Sequence, residues 1–532
     1  MKNDIPNEGE SPRLNDVKLQ EVTGNMSQIN RRKFVKVAAT GALAFSIVPR
    51  HVLGGKGFIA PSDKITLAYV GCGTQGLREL LPLLSVPGLQ VISVCDPNRD
   101  AVGYKDWSKD GLRDDIRAAI GKPDWWPGGD NAVAGGRENG RSVVDTYYSN
   151  IRGGDKFKAC TAYADFRELL EKEKDLDAVK IMTPDHLHGV FSMAALKRNK
   201  HVLMHKPLSN RLLEGKAIIE MARKSNSITH LVPWDSNGPM DQVMSWINSG
   251  EIGTLKEVHN WTNRPVWPQF STIPTESPKI PDGFDWDLWL GPEAERPYSP
   301  DYTNMVFRGW YDFGGGSMAD MGHYSLWTVF NALQLKGPTI IEPNLSHFVG
   351  MGGATPDWVY NDFSFPMASS VRFKYPANDT RPAVDLCWYD GGMRPPIPIE
   401  LIDGNEELPV EGMMFVGDKG KILAGFNVQA PRLLSQKKPD AWDTLQTAQV
   451  KEADKVATGL QLFVDACKSG KQYPGSFRDA EYITEAVNLY AASLRANKLL
   501  KYDAASRQIT NVPAANKYLS REYRTGWDPA SI

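Results

Sequence analysis

The sequence predicts an α/β protein in which a doubly wound parallel sheet precedes a second α/β domain with a largely antiparallel sheet of short strands. Three observations carry this expectation. An apolar run, Ile65–Val70, leads straight into Gly71-Cys72-Gly73-Thr74-Gln75-Gly76 and a helical pattern through Leu77, Leu80, Leu81 and Leu84. Short apolar runs then alternate with helical stretches as far as Ile228–Val232. After Gly250 the pattern changes to short alternating strands and long loops rich in Pro and Trp. A chain of 532 residues has material for two or more buried cores.

Composition narrows the class. Apolar content of 41%, charged content of 23% and a net charge of −2 are those of an ordinary globular protein. That balance gives no electrostatic case for binding nucleic acid. The five cysteines (Cys72, Cys95, Cys160, Cys387, Cys467) are scattered and form no C-x-x-C pair. Neither a disulfide framework nor a zinc site is expected, and buried free thiols are.

The first strand and loop point to a Rossmann NAD(P)-binding domain. A second apolar run, Val91–Cys95, ends in Asp96, twenty residues past Gly76. The order strand, tight turn, helix, strand, acid is the full setting of a dinucleotide fingerprint. Gly71 permits the turn, Gly73 lets the backbone approach a pyrophosphate, and Gly76 lets helix and strand pack closely. The helix start at Thr74 and Gln75 receives phosphate, and Asp96 binds ribose hydroxyls. Asp96 favours NAD by repelling a 2′-phosphate, while Arg99 nearby suits one, so NADP stays open.

Residues 103–155 interrupt the alternation with a Gly-, Asp- and Trp-rich insertion, expected to hold a little helix and to pack over the cofactor edge or at a subunit contact. Alternation resumes at Asp165, a candidate helix cap before Phe166, Leu169 and Leu170. Strand Ala178–Met182 ends in Thr183-Pro184-Asp185-His186-Leu187-His188, and strand His201–Met204 ends in His205-Lys206-Pro207, with Ser209 opening the next helix. Ligands gather outside the carboxyl ends of such strands, which places Thr183, Pro184, His186, His188, Lys206 and Pro207 at the nicotinamide end of a cofactor. Asp185, His186 and His188 are also possible metal ligands. No third cluster stands at ligand spacing, and no metal is expected.

With the glycine loop, Thr-Pro-Asp-His and Lys206-Pro207 in this order, the chain resembles the glucose–fructose oxidoreductase / inositol dehydrogenase / rhizopine-catabolism (Gfo/Idh/MocA) family over roughly residues 60–500. The resemblance implies a Rossmann domain, an open-faced sheet domain, sugar or polyol substrates, tightly bound NAD and a homo-oligomer. Lys206 and Pro207 match the family's Glu-Lys-Pro, but His205 replaces its glutamate, which implies a Lys206 more easily deprotonated. The family's glycine-rich Asp/His motif looks like Gly314-Gly315-Gly316 with Asp320 and His323, although members usually separate that Asp and His by one residue more. On this basis His323 is the acid/base and a substrate contact, Asp320 orients it, and Lys206 holds or polarises the reacting oxygen.

Substrate contacts are sought in two stretches dense in arginine and aromatic rings, Arg264 with Trp267 and Arg308 with Trp310 and Tyr311. Rings cover an apolar sugar face and arginines donate to hydroxyls, but the same loops suit burial against their own domain, and both readings stay open. Helices near Val456–Cys467 and Asp479–Asn497 are expected to cover the sheet or return to the first domain, and the tail Arg521–Trp527 to clasp a neighbouring subunit. The domains are expected at 1–60 (N-terminus and leader), 61–210 (Rossmann, with the insertion) and 211–532 (substrate binding and oligomerisation).

Asn30-Arg31-Arg32-Lys33-Phe34-Val35-Lys36 followed by the short apolar run Val37–Val48 resembles a twin-arginine leader, implying export of a folded protein to the periplasm through the twin-arginine translocation machinery. No Ala-x-Ala site follows, so retention as an anchor stays open. Export after folding suits a protein that must load a dinucleotide where one is supplied. The expected activity is oxidation of a secondary hydroxyl of a sugar, glycoside or polyol. The alternatives are redox-neutral glycoside cleavage, through transient oxidation and re-reduction, and a non-catalytic cofactor-binding sugar sensor.

Overall fold

A computed structural model of the protein describes residues 61–151, 160–232, 238–447, 452–529 and 532. The chain divides into two compact units, Met1–Lys64 and Ile65–Ile532. Of the first, the described residues comprise a short 3₁₀ turn, Pro61–Asp63, and Lys64. The twin-arginine stretch and its apolar run lie outside the described residues. Among the described residues no helix is long and apolar enough to cross a membrane.

The second unit opens with a six-stranded parallel sheet. Its elements run β1 (Ile65–Val70), α1 (Thr74–Leu84), β2 (Leu89–Cys95), α2 (Lys109–Ile120), α3 (Arg137–Ile151), β3 (Thr161–Tyr163), α4 (Phe166–Lys172), β4 (Ala178–Ile181), α5 (Asp185–Lys197), β5 (His201–His205), α6 (Leu212–Lys224) and β6 (Thr229–Val232). The strand order is β3-β2-β1-β4-β5-β6, so the winding reverses between β1 and β4. That reversal opens a crevice at the carboxyl edge, between the glycine loop after β1 and the turn after β4. Every residue of β4 is buried, because helices cover both faces of the sheet. Asp165 caps α4 as expected, its side chain accepting from Arg167 N–H.

Three expectations are corrected here. The parallel sheet continues through β6, which pairs with β5, so the domain boundary expected at 210 lies beyond residue 232. The helix expected to open at Ser209 starts at Leu212; the Ser209 hydroxyl donates to the Arg211 carbonyl instead. The insertion holds two full helices rather than a little one. Leu112, Ile116 and Ile120 of α2 and Val143 and Val144 of α3 join the core formed by β1 and α1.

Helix α7 (Gly238–Ser249), stopped by Gly250 at φ +80°, leads to β7 (Leu255–Trp261) and the second sheet. Its strands β8 (Ile340–Leu345), β11 (Ser369–Tyr375), β12 (Val384–Tyr389), β13 (Gly412–Gly417), β14 (Lys421–Ala424), β15 (Arg432–Leu433), β16 (Leu500–Asp503) and β17 (Gln508–Ile509) surround β7 in the order β15-β14-β13-β7-β12-β11-β8-β16-β17. Among the described residues of this sheet only the β7–β12 pair is parallel. A separate hairpin is formed by β9 (Phe348–Gly352) and β10 (Thr355–Val359). Along β11, buried Val371, Phe373 and Tyr375 alternate with partly exposed Arg372 and Lys374, which is a sheet with one face in the core.

A five-residue π-helix, Met318–Gly322, runs into α8 (His323–Ala332) beneath this sheet. Helix α9 (Glu452–Ser469) returns to the first domain, with Leu460, Phe463 and Val464 in the β1 core, and α10 (Glu481–Ala496) packs on α6 and β8. The second domain also reaches back through residues 283–285: Gly283 O accepts from Arg99 N–H, and Asp285 N–H donates to Pro97 O. The tail clasps its own chain, contrary to the subunit clasp expected. Arg521, 3% exposed, pairs with Glu214 at 2.8 Å and Glu293 at 2.6 Å, and Trp527 is buried under Arg167.

Candidate functional site

The glycine loop has the shape its sequence demands. Gly71 has φ +98°, and a Cβ there would lie 2.6 Å from the Met182 backbone. A Cβ on Gly76 would lie 2.2 Å from Gly71 O. Gly73 is the N-cap of α1 and provides no side-chain cap, so the first-turn amides of Thr74, Gln75 and Gly76 face outward as an anion site. Gln75 itself bonds to Glu79 and Arg78 along the helix. Asp96, 6% exposed, accepts from the Cys72 amide at 2.7 Å and the Asn98 amide at 2.8 Å. Burial pushes its carboxyl up to about 6, against the pull of those bonds and Arg137. Arg99 is turned onto Asp100 at 3.0 Å. The insertion packs over this end: Tyr104 lies 3.3 Å from where a Gly73 Cβ would be, and Arg78 pairs with Asp106 at 2.8 Å. A groove of about 580 Å³ opens at the same end, between Pro97, Ala164 and Trp286.

At the other end of the crevice the two histidines of the Thr-Pro-Asp-His turn are placed otherwise than expected. His186 is fully buried, its Nε2 2.8 Å from Trp289 O, its ring against Trp289 and Phe313, and burial holds its pKa near about 3. His188 is 1% exposed, with Nδ1 2.6 Å from Pro207 O and Nε2 2.9 Å from Thr183 O. Both are therefore corrected from cofactor contacts to structural groups. His188 ties the turn after β4 to the turn after β5 and so fixes Thr183, Pro184, Lys206 and Pro207 relative to one another. Asp185 accepts from the Gly315 amide at 3.0 Å, joining this turn to the Gly314–Gly316 loop.

Lys206 and Asp320 do meet. Lys206 Nζ lies 2.6 Å from Asp320 Oδ1, and Arg308 Nε reaches the same oxygen at 3.3 Å. Burial alone would raise the Asp320 carboxyl, but Lys206, Arg308 and Arg264 hold it well below the usual range. Burial lowers the Lys206 ammonium, and Asp320 opposes this only in part.

His323 does not join them. It is fully buried, with Nδ1 3.1 Å from Ala319 O and Nε2 without a protein partner, and burial drives its pKa down to about 3. Asp320 orients Lys206 and Arg308, not His323. The reason is the π-helix. Its i→i+5 turn takes more residues per revolution than the 3.6 of an α-helix, so the residue four after Asp320 returns to Asp320's face. That residue is Tyr324, partly exposed, with its ring 4.8 Å from Lys206 Nζ and its hydroxyl 3.1 Å from His205 Nε2. Behind it, His205 Nδ1 lies 2.6 Å from Glu79, which also pairs with Lys180 at 2.9 Å. Burial keeps His205 neutral, at about 4. The one-residue departure in the Asp/His spacing was the available signal for Tyr324. No sequence signal joins Glu79 to His205, since that contact crosses from α1 to β5.

The aromatic stretches divide. Trp310 is 2% exposed, bonds through Nε1 to Asp301 O at 2.7 Å and stacks on Phe270, and Tyr311 packs on Phe365 in the core. Both are corrected from substrate contacts to packing. Arg308 remains at the cleft, its guanidinium 5.8 Å from the Trp267 ring. On the facing loop, Arg264 Nε, Trp267 Nε1 and Gln269 Oε1 are buried with no partner among the described residues, as is Thr183 Oγ1.

Two family models match consecutive parts of the chain: the GFO_IDH_MocA oxidoreductase family, NAD-binding Rossmann fold, over residues 140–232, and its C-terminal alpha/beta domain over residues 243–338. A dTDP-3,4-didehydro-2,6-dideoxy-alpha-D-glucose 3-reductase of Saccharopolyspora spinosa is 33% identical over 99 residues, 18% of this chain and 30% of that protein. A levoglucosan dehydrogenase of Pseudarthrobacter phenanthrenivorans is 31% identical over 94 residues, 17% of this chain and 24% of its own length. The chain thus aligns with under a third of each of these relatives. Among solved structures, levoglucosan dehydrogenase in complex with NADH and L-sorbose covers 82% of this chain and 99% of its own, at 12% identity and a TM-score of 0.46. The chain carries a Rossmann NAD-binding domain followed by an α/β domain, and both segments match domains of one oxidoreductase family.

Proposed function

We propose that this chain is a Gfo/Idh/MocA-type dehydrogenase that oxidises a secondary hydroxyl of a sugar, glycoside or polyol with a bound nicotinamide dinucleotide. The observation that carries this is the meeting of Lys206, Asp320, Arg308 and Tyr324 at the carboxyl edge of the sheet that also bears the glycine loop. The loop fits the cofactor: Gly71 and Gly76 leave no room for a Cβ, and the α1 N-terminus lacks a side-chain cap. Thr74–Gly76 amides would hold the pyrophosphate and Asp96 the ribose hydroxyls, with Arg99 engaged by Asp100 in favour of NAD over NADP. The dinucleotide supplies the hydride acceptor.

The chain's own residues handle the proton. Lys206 donates to the reacting oxygen, held by Asp320. Tyr324 receives the hydroxyl proton as its own passes to His205 Nε2, which is free to accept because the His205 Nδ1 proton faces Glu79. This gives Tyr324 the acid/base role expected of His323. A purely sensing protein has no use for such a chain.

The twin-arginine stretch supports export with the cofactor already bound. It also favours a second reading, in which the cofactor is oxidised and re-reduced within one cycle of glycoside cleavage, because an exported enzyme meets no free NAD. The test is the absorbance of the purified protein on adding sugars and glycosides without free dinucleotide. A stable rise near ~340 nm is expected for net oxidation. Glycoside consumed with the starting spectrum restored would establish the closed cycle. No cofactor and no turnover would overturn the proposal.

A further inference from the structure

We infer that the substrate is an acidic one, a sugar or polyol bearing a carboxylate, and that Arg264 with Trp267 recognises that carboxylate. The inference rests on the oxidoreductase reading for the hydroxyl, but not for the acid group. It starts from an imbalance of charge. Three cations, Lys206, Arg308 and Arg264, act on Asp320. The other carboxylate facing Lys206 and Arg308 is Asp185, and it is committed to the Gly315 amide. Among the described residues Lys206 and Arg308 have ion-pair partners at the cleft and Arg264 has none. Glu411, beside this loop, is taken by the Thr262 hydroxyl and the Asn263 amide.

Hydrogen bonding points the same way. Trp267 is 6% exposed, and its indole N–H has no partner among the described residues, whereas buried tryptophan N–H groups usually find one. The Arg264 Nε–H is in the same condition on the same loop. These two are donors, and one belongs to a planar cation whose fork matches a carboxylate, while the acceptor Gln269 Oε1 on the same loop suits a hydroxyl of the same substrate. A neutral sugar hydroxyl would satisfy a donor but leave the charge. The dinucleotide's own phosphates have a separate cradle, the α1 N-terminus after β1, two strands from the β5 end that carries Lys206.

The test is ligand binding by the full chain, with its cofactor as purified, read by thermal shift and calorimetry. The probes are D-glucuronate, D-galacturonate and D-gluconate, each against its neutral counterpart (D-glucose, D-galactose, sorbitol), with D-glucose 6-phosphate as a second anion. At least one acid is expected to bind tenfold or more tightly than its counterpart. Arg264→Gln should erase that ratio and Arg264→Lys restore part of it. Trp267→Phe serves if the arginine variants fail to fold, and should lower acid binding several-fold. Neutral compounds binding as tightly as every acid, the ratio surviving Arg264→Gln, or the phosphate outcompeting the acids would each overturn the inference. The ~340 nm reading separates the two claims. Acid bound with neither cofactor reduction nor turnover of any sugar or glycoside defeats the oxidoreductase reading alone, and cofactor reduced by neutral sugars alone defeats this one.

Discussion

Two buried ionic clusters of this molecule invite comparison. In the tail cluster, Arg521 is shared between Glu214 and Glu293, and Arg211 reaches Glu293 at 3.1 Å while donating to the carbonyls of Asn210 and Tyr311. In the cleft, Lys206 and Arg308 share the single carboxylate of Asp320 beside an unpaired Arg264. In both, charges meet across more than a hundred residues of sequence, Arg521 with Glu214 and Lys206 with Asp320; the tail cluster is nearly dry, whereas Arg308 and Arg264 keep part of their surface in the open cleft. The difference is whether the opposing charges are supplied by the protein. A cluster neutralised from within ties elements together; one left with spare cations and orphaned donors is built for something that arrives.

The largest effect that would break this contrast is in the cleft. Lys206→Met should lower turnover by at least about 10³-fold, while the unfolding midpoint moves little because Arg308 still faces Asp320. Turnover within tenfold of wild type would remove Lys206 from the chemistry. The tail should respond in the opposite sense. Arg521→Met leaves Glu214 and Glu293 short of a buried partner and should cost about 3–5 kcal/mol in urea unfolding, with kcat/KM of the folded protein within twofold.

A smaller effect sharpens the cleft itself. Tyr324→Phe should slow turnover about 10²-fold, with cofactor binding intact, and should abolish the solvent isotope effect on the proton step. If instead a His323 substitution at unchanged stability gave that result, the acid/base assignment would revert to His323.

The smallest effect per residue is pH dependence. Burial holds His186, His230 and His323 at about 3 and His205 at about 4, against about 6.5 in an unfolded chain. The folded state therefore binds fewer protons below pH ~6.5, and the histidines' contribution to stability, complete above that value, is lost progressively as pH falls toward ~3. Each histidine contributes a slope of up to about 1.4 kcal/mol per pH unit. Asp96, raised to about 6, acts in the opposite sense between ~4 and ~6, as do Asp185, Glu293 and Asp390, which burial also raises; His188 and His201, which burial lowers, add to the histidines' side. Urea midpoints at pH 7, 6 and 5 should fall in that order; a flat series would place these rings in contact with solvent.

The two ends of the crevice differ in how far they could be read. The glycine loop is a local object: Gly71, Gly73, Gly76 and Asp96 stand in one strand–turn–helix–strand unit, and their spacing carries the backbone requirement directly. Lys206 was legible for the same reason, as the residue that follows β5. The other end is assembled from the turn after β5, the π-turn before α8 and the loop after β7. A one-residue irregularity in Asp320–His323 hinted at Tyr324, but choosing between neighbours needed the π-turn's geometry. The histidines of the Thr-Pro-Asp-His turn misled because residue type says nothing of which face of a turn is covered. Trp289 and Phe313, over a hundred residues away, cover His186.

By itself, then, the sequence determined the α/β architecture, the dinucleotide loop and the strand ends that carry Lys206 and the Thr183 turn, because hydrophobic periodicity and glycine conformation act over a few residues. Tertiary structure alone decided that Glu79 stands behind His205, that Tyr324 rather than His323 faces the cleft, and that Trp310 and Tyr311 are core. It also decided that the tail's arginines close on their own chain. These are matters of which buried group meets which partner, and burial and pairing are settled by elements distant in sequence that share one interior.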